Sequence, residues 1–341
     1  KDYNFRLSLN KELNKDKILD KNKLILKSNN SNKFYRLKNR YSIKSNDNLF
    51  SFDLSIIKQG YGLNLKTSKT LESIATYEIE IEYNNKESNK LSVEEITNRF
   101  IKFMYNILSE INNTNILIKN NIKKKIINNY LNLINLKRDE NNFIAAKPRT
   151  LHKFNLVKSE QKNLYNRYAG TLKADGVNYF MYVNVDGNIY YFNNNFEIED
   201  SGYKSEEYIN SLVEGEMIEF NGIKKFFAYD MLFNKGEDIR RKILKSLRKK
   251  DETYDLKLDG RLDKLYKFFD SGNIKIRDDF DEKKIIKFEK KPYEISLRSD
   301  GSDIFEKITK IWTNRNYNEF HTDGLIFVPI YDHYPLQGKT W

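Results

Sequence analysis

The sequence predicts an α+β protein of two domains whose sheets are antiparallel. The chain has 341 residues and is 39% hydrophobic, which is long for one domain and apolar enough for packed cores. Its first third contains short runs in which apolar and polar residues alternate, as they do in half-buried strands. Its second half contains two strand-like runs, residues 179–183 and 189–192, joined by the hairpin turn Asp186-Gly187-Asn188.

The composition narrows the possible partners. A net charge of +12 favours an anionic partner such as nucleic acid or a nucleotide phosphate, but an AT-rich genome would produce the same excess of Lys and Asn, and both explanations stay open. The absence of cysteine excludes disulfides and thiolate metal sites, and three scattered histidines do not suggest a zinc site. No run of ~18 apolar residues is present, so we expect no membrane span.

The first three predicted strands cover residues 5–9, 35–43 and 49–57. Side chains two residues apart share one face of a strand. The second strand therefore presents three cations on one face, namely Arg36, Lys38 and Arg40.

A fourth predicted strand, residues 77–83, is the most regular. Its alternate positions carry three carboxylates on one face, namely Glu78, Glu80 and Glu82. Like charges aligned on one strand repel, so something must offset them. Solvent on an open sheet and a divalent cation with oxygen ligands inside a closed barrel are both possible, and the pattern leaves both open.

Two helices follow these strands. A capping box at Ser92 opens the first, and apolar residues recur at helical spacing as far as Ile111. The second is predicted over residues 118–136, in an Asn- and Lys-rich stretch that resembles the join between domains. We therefore expect one domain over residues 1–137 and another over residues 138–341.

Lys173 is the candidate catalytic residue of the second domain. Residues 146–151 open that domain in extended form, and Lys173 then falls in an apolar, β-branched and aromatic run. Lysine is rarely buried unless it is paired or functionally used. Burial lowers the pKa of an amine, and only the neutral amine is a nucleophile, so we expect Lys173 to form a covalent bond to a nucleotide.

Four motifs follow one another in the second domain. They are Lys173-Ala174-Asp175-Gly176, Glu214-Gly215-Glu216, the aromatic run that ends in Tyr229-Asp230, and His321-Thr322-Asp323-Gly324-Leu325-Ile326-Phe327. A second Lys-x-Asp-Gly, residues 257–260, has no β-branched run after it and is discarded. Each motif is weak alone, and their order is the specific signal.

This order of motifs resembles the covalent nucleotidyltransferase superfamily of mRNA guanylyltransferases and ATP-dependent DNA and RNA ligases, over residues 145–341. The resemblance implies antiparallel sheets with flanking helices and a nucleophilic Lys173 that forms a lysyl-nucleotide. It also implies that Asp175 and Gly176 shape the adjacent turn and that Glu216 contacts the ribose or a metal. It further implies that Tyr229, with Phe227 as the alternative, stacks on the base, and that Asp323 helps to hold the catalytic metal.

The charged strands of the first domain resemble the tunnel family of metal-dependent RNA triphosphatases. The resemblance implies a partial antiparallel β-barrel and assigns metal binding to Glu78, Glu80 and Glu82. It assigns triphosphate binding to Arg36, Lys38 and Arg40, with Arg6 as a further phosphate ligand. Asp53-Leu54-Ser55 is similar to an Asp-Leu-Thr/Ser element of that family.

The sequence departs from both families. No Glu-x-Glu pair precedes Lys38, so the resemblance to the tunnel family covers the second half of that domain. Asn178 stands where the nucleotidyltransferases often have arginine, as in the large poxvirus-type enzymes, and their later Lys-x-Lys element is not reached by Trp341. We therefore expect the sequence, which begins at Lys1, to be a fragment or a set of ordered residues.

The two resemblances together imply an mRNA capping enzyme of the large-DNA-virus or cytoplasmic-linear-plasmid type. Its substrates would be 5′-triphosphate RNA and GTP, with Mg²⁺ or Mn²⁺ as cofactor. Its partners would be a cap methyltransferase and the transcription machinery, and its location the cytoplasm, in a viral factory or virion. The alternatives are a polynucleotide ligase that uses ATP and a catalytically inactive RNA-binding scaffold.

Overall fold

The computed structural model describes residues 31–84, 91–112, 114, 116–136, 143–157, 164, 168–246, 259–278, 280–295, 304–315 and 320–335. The predicted strand over residues 5–9, with Arg6, lies outside the described residues, as does Trp341. The chain divides into two compact units between Ile111 and Asn112.

The first unit contains a sheet of three long strands and one helix in its described part. The strands are β1 (Lys33–Lys44), β2 (Phe50–Gly62) and β3 (Thr76–Tyr83), antiparallel in the order β1-β2-β3. The three corresponding sequence predictions are thus confirmed. Helix α1 (Val93–Ile111) begins after the predicted capping box, in which Ser92 and Glu95 exchange hydrogen bonds.

Aromatic side chains attach α1 to the sheet. Phe50 is fully buried, and its ring lies 5.2 Å from that of Phe100 and 5.1 Å from that of Phe103, measured between centroids. Edge-to-face contacts of this kind favour a fixed geometry beyond the burial of area. The helix therefore covers the Phe50–Phe52 end of the apolar face of β2, opposite the face that carries the charges.

The prediction of a partial antiparallel barrel is not met in the described part of the first unit, where the sheet is open. Closing a barrel requires the first and last strands to be hydrogen-bonded to each other. Here β1 and β3 both pair with β2, and the described residues contain no strand that joins them. The antiparallel pairing was predicted correctly, and closure was not.

The second unit contains two antiparallel sheets. Its elements are α2 (Asn120–Leu133), β4 (Tyr168–Ala174), β5 (Val177–Val183), β6 (Asn188–Asn193), β7 (Ile198–Lys204), β8 (Ser211–Phe220), β9 (Ile223–Asn234), β10 (Glu237–Asp238), α3 (Arg261–Asp270), β11 (Lys275–Ile276), β12 (Lys287–Lys290), β13 (Glu294–Ile295), α4 (Ile304–Thr313) and β14 (Thr322–Pro329). The larger sheet has the order β10-β9-β8-β5-β6-β7-β11, with β12 parallel to β9. The smaller has the order β13-β4-β14. Antiparallel sheets with flanking helices were predicted, and the predicted hairpin is confirmed as β5–β6.

Helix α2 packs on the larger sheet of the second unit. Tyr130 is fully buried, with its ring 4.9 Å from that of Phe192, and Ile126 lies in the same core. The predicted domain boundary at residue 137 places this helix in the first domain, whereas the compact units divide before it. The apolar face of α2 packs on strands that lie more distant in the sequence. Helical spacing predicts that face but not the sheet on which it packs.

Helices α3 and α4 were not predicted from the sequence. Leu262, Leu265 and Phe268 bury one face of α3 in the main core. Helix α4 lies against β4, where a Cβ on Gly170 would come within 1.9 Å of Ile308 Cδ1, so the strand has a glycine at the closest approach. Among the helices that the structure describes, none is long and apolar enough to cross a membrane.

Candidate functional site

Lys173 and Asp323 face each other across β4 and β14. The Lys173 Nζ donates to both carboxylate oxygens of Asp323, at 2.8 Å to Oδ1 and 2.6 Å to Oδ2. The strand register shifts between Thr322 and Gly324, as at a β-bulge, and such a shift re-aims the side chain between them. The Lys173 side chain is 41% exposed, so the nucleophile candidate is paired rather than buried. The hydrogen bond from Lys173 lowers the pKa of Asp323.

The turn after Lys173 is held close to β8. The amide of Asp175 donates to the carbonyl of His321, 3.0 Å away. A Cβ on Gly176 would lie 2.9 Å from Ile218 Cγ1 and 3.0 Å from the carbonyl oxygen of Met217. Gly176 is therefore needed for close packing, in agreement with its predicted place in the turn.

Lys291 is a functional candidate that sequence reasoning missed. It is 2% exposed, and its Nζ lies 2.9 Å from Glu216 Oε2. Burial lowers the pKa of Lys291, Glu216 opposes this effect, and the positive charge of Lys173 adds to it, which shows that both lysines share one electrostatic environment. Beside it, Thr171 Oγ1 donates to the carbonyl of Pro292 at 2.7 Å, which attaches this segment to β4.

The run around Lys291 has no sequence signal for burial. It reads Lys287-Phe288-Glu289-Lys290-Lys291-Pro292, which is typical of a solvated surface. The burial arises because β12 adds in parallel to β9 and because the amide of Lys291 donates to the carbonyl of Ala228 at 2.7 Å. Such a pairing depends on the tertiary fold.

Tyr229 lies beside the two lysine pairs. The Nζ of Lys291 is 5.5 Å from the centre of its ring, within range of a cation–π interaction. Its hydroxyl points to Asn178, whose Nδ2 donates to it at 2.6 Å. The structure thus brings Lys173, Asp323, Glu216 and Tyr229 into one region around Lys291, as the predicted shared site requires.

The carboxylates of this region suit a hard divalent cation. Asp323 has an exposed side chain, and Glu216 is mostly buried. Carboxylate oxygens are the ligands that Mg²⁺ and Mn²⁺ prefer. His321 instead packs the edge of its ring on Phe220, with centroids 5.5 Å apart.

Ion pairs cross β2 on the charged face of the first unit. The closest nitrogen–oxygen distances are 2.7 Å for Arg36–Glu78, 2.6 Å for Lys38–Glu80 and 2.6 Å for Arg40–Asp53. The cationic strand and the acidic strand therefore neutralise each other on one face of the sheet. In the described part of the unit, these ion pairs offset the repulsion between the aligned carboxylates.

Three carboxylates on this face have the spacing of a metal site. Oxygens of Asp53, Glu80 and Glu82 lie within 4.8 Å of one another, while Glu78 is outside this group. Asp53 is 3% exposed and lies directly opposite Glu80 in the β2–β3 register. The sequence singled out Asp53-Leu54-Ser55 without assigning Asp53 to the metal, and only the register shows that it belongs with the glutamates.

A family model described as mRNA capping enzyme, catalytic domain, matches residues 109–340, and the chain belongs to this family. The chain is also 27% identical, over 343 aligned residues, to the "Probable mRNA-capping enzyme" of Acanthamoeba polyphaga mimivirus. That alignment covers 89% of this chain and 27% of the relative, so the chain spans about a quarter of the relative's length. The predicted capping-enzyme family is confirmed.

Proposed function

We propose that the second unit transfers GMP from GTP to the 5′ end of RNA through a covalent bond to Lys173. The observation that carries this proposal is the Lys173–Asp323 pair with the buried Lys291 beside it. Two ammonium groups and an aromatic ring, with carboxylates among them, suit a nucleoside triphosphate because the ring stacks on a base while the cations attract phosphates. The family match supports GTP as the nucleotide.

The reaction has two displacement steps. In the first, the unprotonated Nζ of Lys173 attacks the α-phosphorus of GTP, a nitrogen–phosphorus bond forms, the nitrogen gives up one proton to solvent, and pyrophosphate leaves with the pair of electrons of the broken bond. In the second, a terminal oxygen of diphosphate-ended RNA attacks the same phosphorus, and the nitrogen–phosphorus bond breaks as the leaving nitrogen takes up a proton. The lysine amine is thereby restored and the RNA carries GMP.

The surrounding residues prepare these steps. In the resting protein Asp323 holds the Lys173 ammonium in place by two hydrogen bonds, and Lys291 adds a second positive charge to the site. Asp323 and Glu216 would hold a divalent cation, which when bound offsets charge on the phosphates. Tyr229 would stack on the base.

Covalent labelling tests this proposal. Incubation with α-labelled GTP is expected to label the wild-type chain and to leave Lys173→Ala unlabelled. Lys235→Ala is the matched control, because Lys235 is 43% exposed and pairs with Glu207 at 2.6 Å, much as Lys173 pairs with Asp323. Label from ATP alone would favour the ligase alternative. No label from either nucleotide would favour the inactive scaffold.

We infer for the first unit that it removes the γ-phosphate of the RNA before GMP transfer. The oxygens of Asp53, Glu80 and Glu82 support a metal there, and Arg36, Lys38 and Arg40 supply cations for a triphosphate on the same face. Cap methyltransferase and transcription partners, and the location in a viral factory or virion, remain predictions.

Phosphate release from triphosphate-ended RNA tests this second activity. Glu80→Gln is expected to abolish release, because it removes a carboxylate that belongs both to the metal group and to the pair with Lys38. Glu110→Gln, at the exposed end of α1, serves as the control. Release that survives Glu80→Gln would contradict the metal assignment.

A further inference from the structure

A buried hydrogen-bond network lies behind the Tyr229 ring. Its centre is Glu214, which is 1% exposed. The carboxylate of Glu214 accepts from the hydroxyl of Tyr334 at 2.7 Å, from Asn178 Nδ2 at 3.2 Å and from the hydroxyl of Tyr229. The network so described has no part in the two displacement steps.

The network connects segments that are far apart in the chain. The hydroxyl of Tyr334 also accepts from the backbone amide of Ala146 at 2.6 Å. Asn178 lies on β5, Glu214 on β8 and Tyr229 on β9, so the network joins three neighbouring strands to the segments that contain Ala146 and Tyr334. Hydrogen bonds are stronger in a buried, low-dielectric environment, so those of this cluster restrain the relative positions of its members, although Asn178 Oδ1 has no partner among the described residues.

The network contacts Tyr229 at its hydroxyl, and this position determines which motions of the ring it restrains. A tyrosine ring has two rotatable torsions, and a partner at its far end restrains both of them. Asn178 Nδ2 and Glu214 hold the Tyr229 hydroxyl from behind, while the ring lies beside Lys291. The plane of the ring is therefore set from the side opposite to the site.

The burial of the Glu214 carboxylate costs folding free energy, which is unexpected for a residue without a function. Glu214 is 1% exposed, and burying a carboxylate among neutral donors is unfavourable. A leucine of similar size would fill the same volume without that cost. A glutamate at this position is explained if its hydrogen bonds fix the position of a side chain of the nucleotide site.

We propose that Glu214 is a positioning residue of the nucleotide site, and that it fixes the Tyr229 ring in the orientation in which a purine base stacks on it. Asn178 is the second member of this support, since its amide binds both Glu214 and the Tyr229 hydroxyl. This inference rests on the proposed function, because it needs a base on Tyr229.

Binding of two ligands separates ring positioning from general damage. GTP carries a base, whereas inorganic tripolyphosphate carries phosphates alone, and calorimetry in the presence of Mg²⁺ measures both. In Glu214→Leu the GTP dissociation constant is expected to rise roughly 5- to 20-fold, a part of what base stacking contributes. The tripolyphosphate constant is expected to stay within about 2-fold. Glu214→Gln keeps an acceptor oxygen and should recover most of the GTP affinity.

Tyr229→Phe is the second variant, because it keeps the ring and removes only its attachment to the network. It should weaken GTP as Glu214→Leu does, and the double variant should be no weaker than either single variant, because both break the same link. If Glu214→Leu does not fold, the GTP and tripolyphosphate affinities of Tyr229→Phe alone test the inference. Glu199→Gln is the matched control, since Glu199 is also buried and accepts the hydroxyl of Tyr179 at 3.2 Å.

Three outcomes would overturn the inference: equal weakening of both ligands, additive effects in the double variant, or unchanged GTP binding in folded Glu214→Leu and Tyr229→Phe. The proposed function fails in a different way. A wild-type chain that binds tripolyphosphate but not GTP contradicts base stacking as such, whereas normal wild-type binding with unaffected variants contradicts only the role of Glu214.

Discussion

The ammonium of Lys291 lies 2.9 Å from the carboxylate of Glu216, and this buried pair shares the site with Lys173. Burial lowers the pKa of Lys291, and the positive charge of Lys173 adds to this effect. Lys291, whose side chain is buried, is paired with Glu216 in β8, and the more exposed Lys173 is paired with Asp323. The site thus holds two ammonium groups, each paired with a carboxylate.

Replacing Lys291 by Met should damage both the site and the fold. Glu216 would lose its partner while mostly buried, and breaking such a pair costs about 3 kcal/mol of unfolding free energy. The rate of covalent labelling by GTP should fall roughly 10- to 100-fold as well. Denaturant unfolding and single-turnover labelling measure the two effects.

Lys290→Met is the control for that experiment. Lys290 is the neighbouring residue and pairs with Asp270 at 2.6 Å on the surface, where an ion pair contributes little. If Lys290→Met reduces labelling as much as Lys291→Met, the effect belongs to the general charge of the segment, and Lys291 has no special place in the site.

The stability of the second unit should depend on the titration of Glu214. Burial raises the pKa of this acid from 4.5 to about 7 in the folded state, so the folded chain binds its proton more tightly than the unfolded chain does. The stabilisation is fully present below pH 4.5 and is lost as the pH rises through about 7. Relative to Glu214→Gln, the wild-type protein should therefore become less stable between pH 5 and pH 8, by a few degrees in Tm. Thermal unfolding of both proteins across that range measures it, and a pH-independent difference would contradict the buried titration.

The first unit should bind Mn²⁺ through Asp53 rather than Glu78. The carboxylate oxygens of Asp53, Glu80 and Glu82 lie within 4.8 Å of one another, whereas Glu78 is outside this group. Mn²⁺ should raise the Tm of the wild-type protein and of Glu78→Gln, because a ligand that binds only the folded state stabilises it. It should not raise the Tm of Asp53→Asn. A shift lost in Glu78→Gln and kept in Asp53→Asn would reverse the assignment.

A larger residue at Gly170 should be tolerated only if the Ile308 side chain on α4 is shortened or moves. A Cβ there would lie 1.9 Å from Ile308 Cδ1 and 2.6 Å from its Cγ1, so Gly170→Ala should cost about 1–3 kcal/mol of unfolding free energy through overpacking. Ile308→Ala removes both atoms at a cost of its own. The double variant should lose less than the sum of the two single losses, and strict additivity in chemical unfolding would show that the two residues do not compete for space.

The strands and motifs of the site were predictable from the sequence because their signals are local. Alternation located β1, β2 and β3, and the order of motifs predicted one site with Lys173, Glu216, Tyr229 and Asp323, whose side chains contact one another or Lys291. The pairing of Lys173 with Asp323 follows because β4 and β14, far apart in sequence, are neighbours in one sheet.

The rest depends on contacts that the sequence does not encode locally. Lys291 looks like a surface residue until β12 pairs with β9, and Asp53 joins the glutamates only through the β2–β3 register. Helix α2 was assigned to the first domain because its Asn- and Lys-rich sequence resembles a linker, whereas Tyr130 fills the core of the second unit. The expected partial barrel came from a family resemblance, and the three described strands of the first unit form an open sheet.

The central claim is that Lys173 carries the nucleotide, and peptide mapping of the labelled protein tests it most directly. After incubation with α-labelled GTP and Mg²⁺, the wild-type chain is expected to carry one GMP, bound to the peptide that contains Lys173 by an acid-labile bond. Lys173→Ala is expected to carry none, with its fold intact by thermal unfolding. GMP on another residue, or equal labelling of Lys173→Ala, would contradict the account.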